Sequence, residues 1–219
     1  MKILLLCWRD TGHPEGGGSE RYLERVAGYL ADQGHTVVFR TASYPGAPTL
    51  SRRDGVTFSR AGGNFSVYVR SWTAMLGARF GVGPLAKALG GKPDVVVDTQ
   101  NGVPFFARIF SGAPTVLLTH HCHREQWPVA GPIISQLGWF IESRLSPMIH
   151  RRSRYITVSE PSAAELVELG PSHSDRSAMI SVDCNSPGIG STPLRITAMR
   201  PGDTPSSTSS AALGSETVM

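Results

Sequence analysis

The sequence predicts an α/β fold with a doubly wound, mostly parallel sheet, and three observations carry that expectation. Through Gly170 the chain alternates short apolar runs with stretches of helical periodicity, the pattern of an open sheet covered on both faces. Two runs, Val95-Val96-Val97 and Val116-Leu117-Leu118, are apolar without alternation, as strands buried on both faces are. The first helical stretch lies between two strand-like runs and is about fifteen residues long, which suits a right-handed βαβ crossover.

Each element can be justified in turn. Residues 2–7 read as a buried first strand. The apolar run is cut off by Trp8-Arg9-Asp10, too early for a signal peptide and far short of the ~20 residues that span a bilayer. A loop through Gly12, Gly16, Gly17 and Gly18 follows, and Ser19 is expected to cap a helix beginning there, with Glu20 behind it. Leu23, Val26, Ala27 and Leu30 recur three and four apart, giving one buried face, and Gly34 supplies a left-handed stop. Residues 35–40 are the second strand. After a Pro/Gly loop, extended pieces are expected at residues 56–58 and 65–69, then a helix at about 71–89. Residues 93–98 and 114–119 are strands flanking a helix at 103–110. Residues 133–149 read as an amphipathic helix with Leu137, Phe140, Ile141 and Leu145 on its apolar face. Residues 155–158 form a last strand, followed by the turn Ser159-Glu160-Pro161-Ser162 and a helix at 163–169.

Composition divides the chain at residue 170. Of 219 residues, 40% are hydrophobic and 17% charged, below the ~45–50% and ~25% of ordinary globular chains. Residues 171–219 account for much of that shortfall: they are rich in Ser, Thr, Pro and Gly and lack Phe, Trp and Tyr. Such a segment buries too little surface to offset chain entropy, so it is expected to be a disordered tail after one domain at 1–170. Cys7, Cys122 and Cys184 are odd in number and far apart, which argues against a disulfide framework and for a cytoplasmic protein. The net charge of +4 comes with only three lysines and dispersed arginines, so no nucleic-acid partner is expected. One cluster, Arg144 with His150-Arg151-Arg152-Ser153-Arg154, suits anionic headgroups, phosphate or plain solvent.

Ligands of a doubly wound sheet bind at the carboxyl ends of its strands, and four segments are expected there. Gly16, Gly17 and Gly18 lack Cβ atoms before a helix N-terminus, so backbone N–H groups can approach an anion; the structural alternative is a connecting turn. His120, His121 and His123 follow the 114–119 strand. Three imidazoles in four residues invite a zinc reading, but such a site needs a carboxylate or thiolate from elsewhere in the fold and no metal is expected; a sugar-contacting loop, a structural cap and a metal-binding or regulatory α/β protein are the readings open. Ser159 and Glu160 form either a contact at the same edge or an ordinary helix start. Asp98, Thr99, Gln100 and Asn101 end a strand, where Asp98 and Asn101 are candidate acceptor contacts and a solvated loop is the alternative.

Taken together, Gly16-Gly17-Gly18-Ser19-Glu20, the turn Leu30-Ala31-Asp32-Gln33-Gly34-His35-Thr36-Val37, Pro93-Asp94-Val95-Val96, the 114–120 strand ending in Thr119-His120, and Ile156-Thr157-Val158-Ser159 resemble glycosyltransferase family 4. The resemblance implies the Rossmann-like N-terminal, acceptor-side half of a GT-B fold. It also implies retaining, hexosyltransferase-type transfer from a nucleotide diphosphate sugar to an acceptor hydroxyl. In that family Gly16, Gly17 and Gly18 would approach the donor phosphates and His120 the transferred sugar, with His121 as the substitute if the register shifts by one. No cofactor is implied beyond the nucleotide sugar as co-substrate. The acceptor would be a sugar or lipid-linked molecule, with peripheral contact at the inner face of the membrane. The family's second domain, with its Arg/Lys pair and Glu-x7-Glu motif, has no counterpart in residues 171–219. A truncated or frameshifted product is therefore expected, with a catalytically inactive acceptor- or partner-binding remnant as the alternative.

Overall fold

A computed structural model describes residues 1–120, 131–158, 162, 179–182 and 196–199. Its strands are β1 (Lys2–Leu6), β2 (Thr36–Thr41), β3 (Leu50–Arg53), β4 (Val56–Arg60), β5 (Val95–Gln100), β6 (Thr115–Thr119), β7 (Arg154–Thr157), β8 (Met179–Val182) and β9 (Ile196–Met199). They form one sheet in the order β3-β4-β2-β1-β5-β6-β7-β8-β9. All neighbouring pairs are parallel except β3 with β4 and β8 with β9. This is the Rossmann-like α/β fold that the sequence predicts. From β1 the chain winds outward through β2 to β4, then returns to the other side of β1 as β5 and continues through β6 and β7. The switch point therefore lies between β1 and β5, and the crevice outside their carboxyl ends is where this topology places ligands.

The sheet is buried because its strands alternate apolar residues onto two covered faces. In β1, Leu4 and Leu6 join Val38, Val67, Met75, Leu85, Val96 and Phe105 on one side. Ile3 and Leu5 join Leu23, Ala27, Val37, Phe39 and Phe58 on the other. The first side is covered by α2 (Ser66–Arg79) and α3 (Gly83–Leu89), the second by α1 (Gly18–Asp32). Each fully buried leucine contributes roughly 1.5–3 kcal/mol, so the central strand anchors both layers.

Several expectations change. Residues 65–69 were expected to be extended, but Ser66 opens α2, with Val67, Ser71, Ala74, Met75 and Ala78 as its buried stripe. Two long-range bonds fix it: Tyr68 Oη donates to Val103 O at 3.1 Å and Trp72 Nε1 to Phe105 O at 2.7 Å. The helix expected at 71–89 is two helices, because Gly81 and Gly83 take φ values of +76° and +86° between them. Strand β3 was not foreseen; it forms a hairpin with β4 through Asp54-Gly55, at φ +49° and +73°, a two-residue turn suited to that dipeptide. The helix expected at 103–110 is only α4 (Ala107–Phe110), since Phe106 sits at φ +53°.

The stretch expected as a helix at 133–149 runs as α5 (Pro132–Phe140), a π-helical turn (Ile141–Leu145) and α6 (Ser146–His150). Ser146 N–H bonds to Ile141 O, five residues back. The widening directly precedes Pro147, which has no N–H to continue the ordinary ladder. Only part of the expected apolar face is covered, since Ile141 and Leu145 are half-buried. Leu137 and Phe140 are 58% and 55% exposed, whereas Glu142, Ser146 and His150 are buried. Eight residues of the 171–219 segment are described, as β8 and β9; the rest of that segment, and the helix expected at 163–169, lie outside the described residues. No helix among the described residues is long and apolar enough to cross a membrane.

Candidate functional site

The loop from β1 to α1 crosses the carboxyl edge, and buried charge holds it there. Asp10, at its base, accepts from Arg60 Nε at 2.6 Å and from Gly12 N–H at 2.9 Å. Arg60, at the end of β4, also donates to Pro48 O and Ser51 Oγ. Both partners of this ion pair are buried, so each compensates the other's desolvation. Further along, Thr11 donates through both its backbone N–H and its hydroxyl, each at 2.8 Å, to the Glu24 carboxylate, which also pairs with Arg53. Cys7, at the start of the loop, is buried, and burial pushes its thiol up to about 12, which makes it a poor nucleophile.

The glycines that follow divide by physical role. A Cβ at Gly16 would lie 2.6 Å from Asp10 O and 3.1 Å from His13 O, so the folded-back loop itself demands glycine there. At Gly18 nothing lies within 4 Å, and at Gly17 only the Glu20 carboxylate at 3.4 Å. Neither takes a positive φ. Packing therefore does not require glycine at 17 or 18, and both are exposed. The helix starts one residue before Ser19: Gly17 is the N-cap, and Glu20 at the third helical position accepts from Gly17 N–H at 2.8 Å and from Ser19 Oγ at 3.0 Å. The positive end of the α1 dipole thus opens onto the same edge as the loop.

His120 directly follows β6 and is buried. Its ring meets Tyr22 edge to face with centroids 5.9 Å apart, and its carbonyl accepts from Ser162 Oγ at 2.7 Å. Tyr22 stands one helical turn after Gly18 on α1, so this contact joins the end of β6 to the start of α1. The structure therefore brings His120 and the glycine loop to the same edge of the sheet, linked through Tyr22. His121, Ser159 and Glu160, expected at the same edge, lie outside the described residues.

The end of β5 differs from its sequence reading. Asp98 is fully buried, and its two oxygens accept from Phe105 N–H and Ala107 N–H, each at 2.8 Å. Its carboxylate secures the turn into α4 rather than facing an acceptor. Burial pushes its carboxyl up to about 7, against the lowering by those two N–H groups. His150 Nε2 lies 3.8 Å from Asp98 Oδ2, and burial followed by the charge of Arg108 lowers that imidazole to about 4. Thr99 Oγ1 donates to Leu6 O at 2.7 Å, and Gln100 Oε1 accepts from Ser146 Oγ at 2.6 Å. Of the four polar residues only Asn101 is partly exposed.

A family model described as Glycosyltransferase Family 4 matches residues 16–181, well over half of the chain. The chain belongs to glycosyltransferase family 4. No curated protein matches it. The family-4 match begins at Gly16 and takes in the loop glycines, Tyr22, the β5 end, His120 and all of β8 except its last residue. A glycosyltransferase domain works with a sugar donor and an acceptor in general.

In this family-4 domain the residues that sequence reasoning missed are those that hold the site together. Tyr22 stands at the flank of the apolar stripe of α1, partly buried against the core, and carries no motif. Asp10 and Arg60 are fifty residues apart in sequence and meet only because β4 lies two strands from β1. His150 was read as part of a basic surface cluster, yet it is buried against Phe106, with ring centroids 6.4 Å apart.

Proposed function

We propose that this domain takes part in retaining transfer of a sugar from a nucleotide diphosphate donor to the hydroxyl of a sugar or lipid-linked acceptor. The diphosphate approaches Gly17 and Gly18 at the N-terminus of α1, and the transferred sugar lies beside His120. The observation that supports this reading is the Tyr22–His120 contact, with ring centroids 5.9 Å apart, which links the end of β6 to a residue one helical turn after Gly18. The absence of any packing reason for glycine at 17 and 18 supports it, since a Cβ-free surface lets an anion reach first-turn N–H groups.

In the reaction, the bond from the anomeric carbon to the diphosphate oxygen breaks as the acceptor oxygen bonds to that carbon from the same face. The acceptor's proton leaves with the departing diphosphate. Negative charge grows on the leaving oxygen, where backbone N–H groups and the helix dipole are already oriented and need no reorganisation. His120 lies where it can hydrogen-bond a hydroxyl of the transferred sugar and orient the ring. The setting is cytoplasmic, at the inner face of the membrane when the acceptor is lipid-linked.

The test is sugar transfer and nucleotide-sugar hydrolysis by the purified 219-residue chain, with a panel of nucleotide diphosphate sugars and a lipid extract as acceptor. Wild type is run beside Gly18→Val and His120→Ala. Turnover lost in both variants with melting temperature unchanged supports the proposal, and undiminished turnover in either defeats its assignment. Acceptor binding without turnover in folded wild type points instead to the acceptor- or partner-binding alternative.

A further inference from the structure

At the opposite end of the same strands, the starts of β5, β6 and β7 surround a recess of about 710 Å³. Four arginines from four places in the chain line it: Arg79 at the end of α2, Arg108 on α4, Arg152 in the turn after α6 and Arg154 at the start of β7. No aspartate or glutamate is among the lining residues. Among the described residues, none of the four guanidinium groups has an ion-pair or hydrogen-bond partner. The recess is also shaped around its cations. Gly112, at φ +67°, has no Cβ where one would stand 2.8 Å from Arg79 Cδ, so the arginine stem lies flat across the loop. The positive field reaches the interior, since the charge of Arg108 helps hold the buried His150 imidazole neutral.

Four like charges around one concavity repel one another and set up a positive potential there, and Arg79, Arg152 and Arg154 are exposed, so their donors are open to an anion arriving from solvent. Guanidinium forks match tetrahedral phosphate oxygens in pairs, and the recess has the volume of an ordinary small-molecule pocket. We propose that the recess formed by Arg79, Arg108, Arg152 and Arg154 is a phosphate-binding site for a phosphate or diphosphate ester, separate from the glycine loop at the other edge of the sheet. It lies about 13 Å away along β6, the rise of the four steps from Thr115 to Thr119. It also divides the basic cluster seen in sequence: Arg152 and Arg154 enter the recess, while Arg144 and Arg151 do not.

The probe is inorganic pyrophosphate, titrated calorimetrically into the full chain at low salt. The expected result is saturable binding that weakens with added salt and falls at least about tenfold in Arg108→Gln/Arg152→Gln, with unchanged circular dichroism. Gly18→Val should retain that binding, which separates this site from the proposed donor site. Vesicles of phosphatidylcholine with and without phosphatidic acid distinguish the source. Cosedimentation with the acidic vesicles alone, lost in the arginine variant, assigns the phosphate to a lipid headgroup. Pyrophosphate binding without cosedimentation assigns it to a soluble ester. Absence of both from folded protein, or binding lost in Gly18→Val and kept in the arginine variant, overturns the proposal.

Discussion

Replacing Asp98 by asparagine separates the two forces that act on this buried carboxyl. The side chain accepts from Phe105 N–H and Ala107 N–H at 2.8 Å each, which ties down a turn in which Phe106 takes φ +53°. Asparagine keeps the shape but offers one acceptor oxygen, and its amide nitrogen faces the second N–H. One buried donor then goes unpaired, at a cost of about 1–3 kcal/mol. For a domain of this size that lowers the melting temperature by roughly 2–4 °C per kcal/mol.

The pH dependence tests which force dominates. Asp98 is raised from 3.8 to about 7 because desolvation outweighs both N–H bonds. The unfolded chain releases this proton near pH 4 while the folded chain keeps it to about 7. Wild-type stability from this group is therefore full below pH 4 and is lost as pH rises through 7, by about 4 kcal/mol at ~1.36 per unit. His150 acts in the opposite sense: lowered from 6.5 to about 4, it contributes stability that is full above pH 6.5 and is lost as pH falls toward 4. In wild type the two slopes oppose each other across one window, and the variant keeps only that of His150. Calorimetric melting from pH 4 to 7.5 should show the wild-type advantage over Asp98→Asn greatest near pH 4 and shrinking toward 7. An advantage that grows with pH would mean that the N–H bonds win and that the folded carboxylate is ionised, which would refute the reasoning.

Three further outcomes follow from the loop. Gly16→Ala should lower the melting temperature, because its Cβ would stand 2.6 Å from Asp10 O, whereas Gly18→Ala should not, since nothing lies within 4 Å; thermal melts of the pair decide it. Arg60→Met should cost about 3–5 kcal/mol in denaturant unfolding by leaving the Asp10 carboxylate buried and unpaired, with partial recovery in Asp10→Asn/Arg60→Met. Glu20→Gln keeps an acceptor for Gly17 N–H but removes a negative charge from the start of α1. It should tighten nucleotide diphosphate binding about two- to fivefold by titration.

The fold was legible where burial is two-sided. β1, β5 and β6 announce themselves because a strand covered on both faces has no polar alternation, and the β1–α1–β2 unit has the length its crossover needs. Edges were not legible. β3 reads Leu50-Ser51-Arg52-Arg53 and is largely exposed, so no apolar signal marks it; the Asp54-Gly55 turn was the available clue. Residues 65–69 alternate like a strand, and only the partners of Tyr68 and Trp72, more than thirty residues away, make them helical. The helix at 133–149 was legible in extent but only partly in orientation, because its buried residues Ser146 and His150 meet polar groups at the end of β5 instead of an apolar core. Of the site, the glycine loop and His120 were readable as strand ends. Asp98 was misplaced because its alternation shows where the strand stops, not that α4 folds back over it.

The burial of that strand end bears on how the edge can act. Asp98, Thr99 and Gln100 would each be a competing polar contact if they faced the crevice, yet α4, β1 and α6 respectively take up their hydrogen-bonding capacity. Across the switch point Asp10 is similarly consumed by Arg60 and Gly12. Polar groups flanking the crevice are thus spent on fixing two helices, strand β1 and one loop to the ends of the strands. What remains presented at the start of α1 is exposed glycine backbone, whose position is set by Gly16 packing below it and Glu20 capping behind it. Under the proposed function such a surface would bind through donors already in place, so its selectivity would rest on geometry, and a shift of the loop should cost function before it costs the fold.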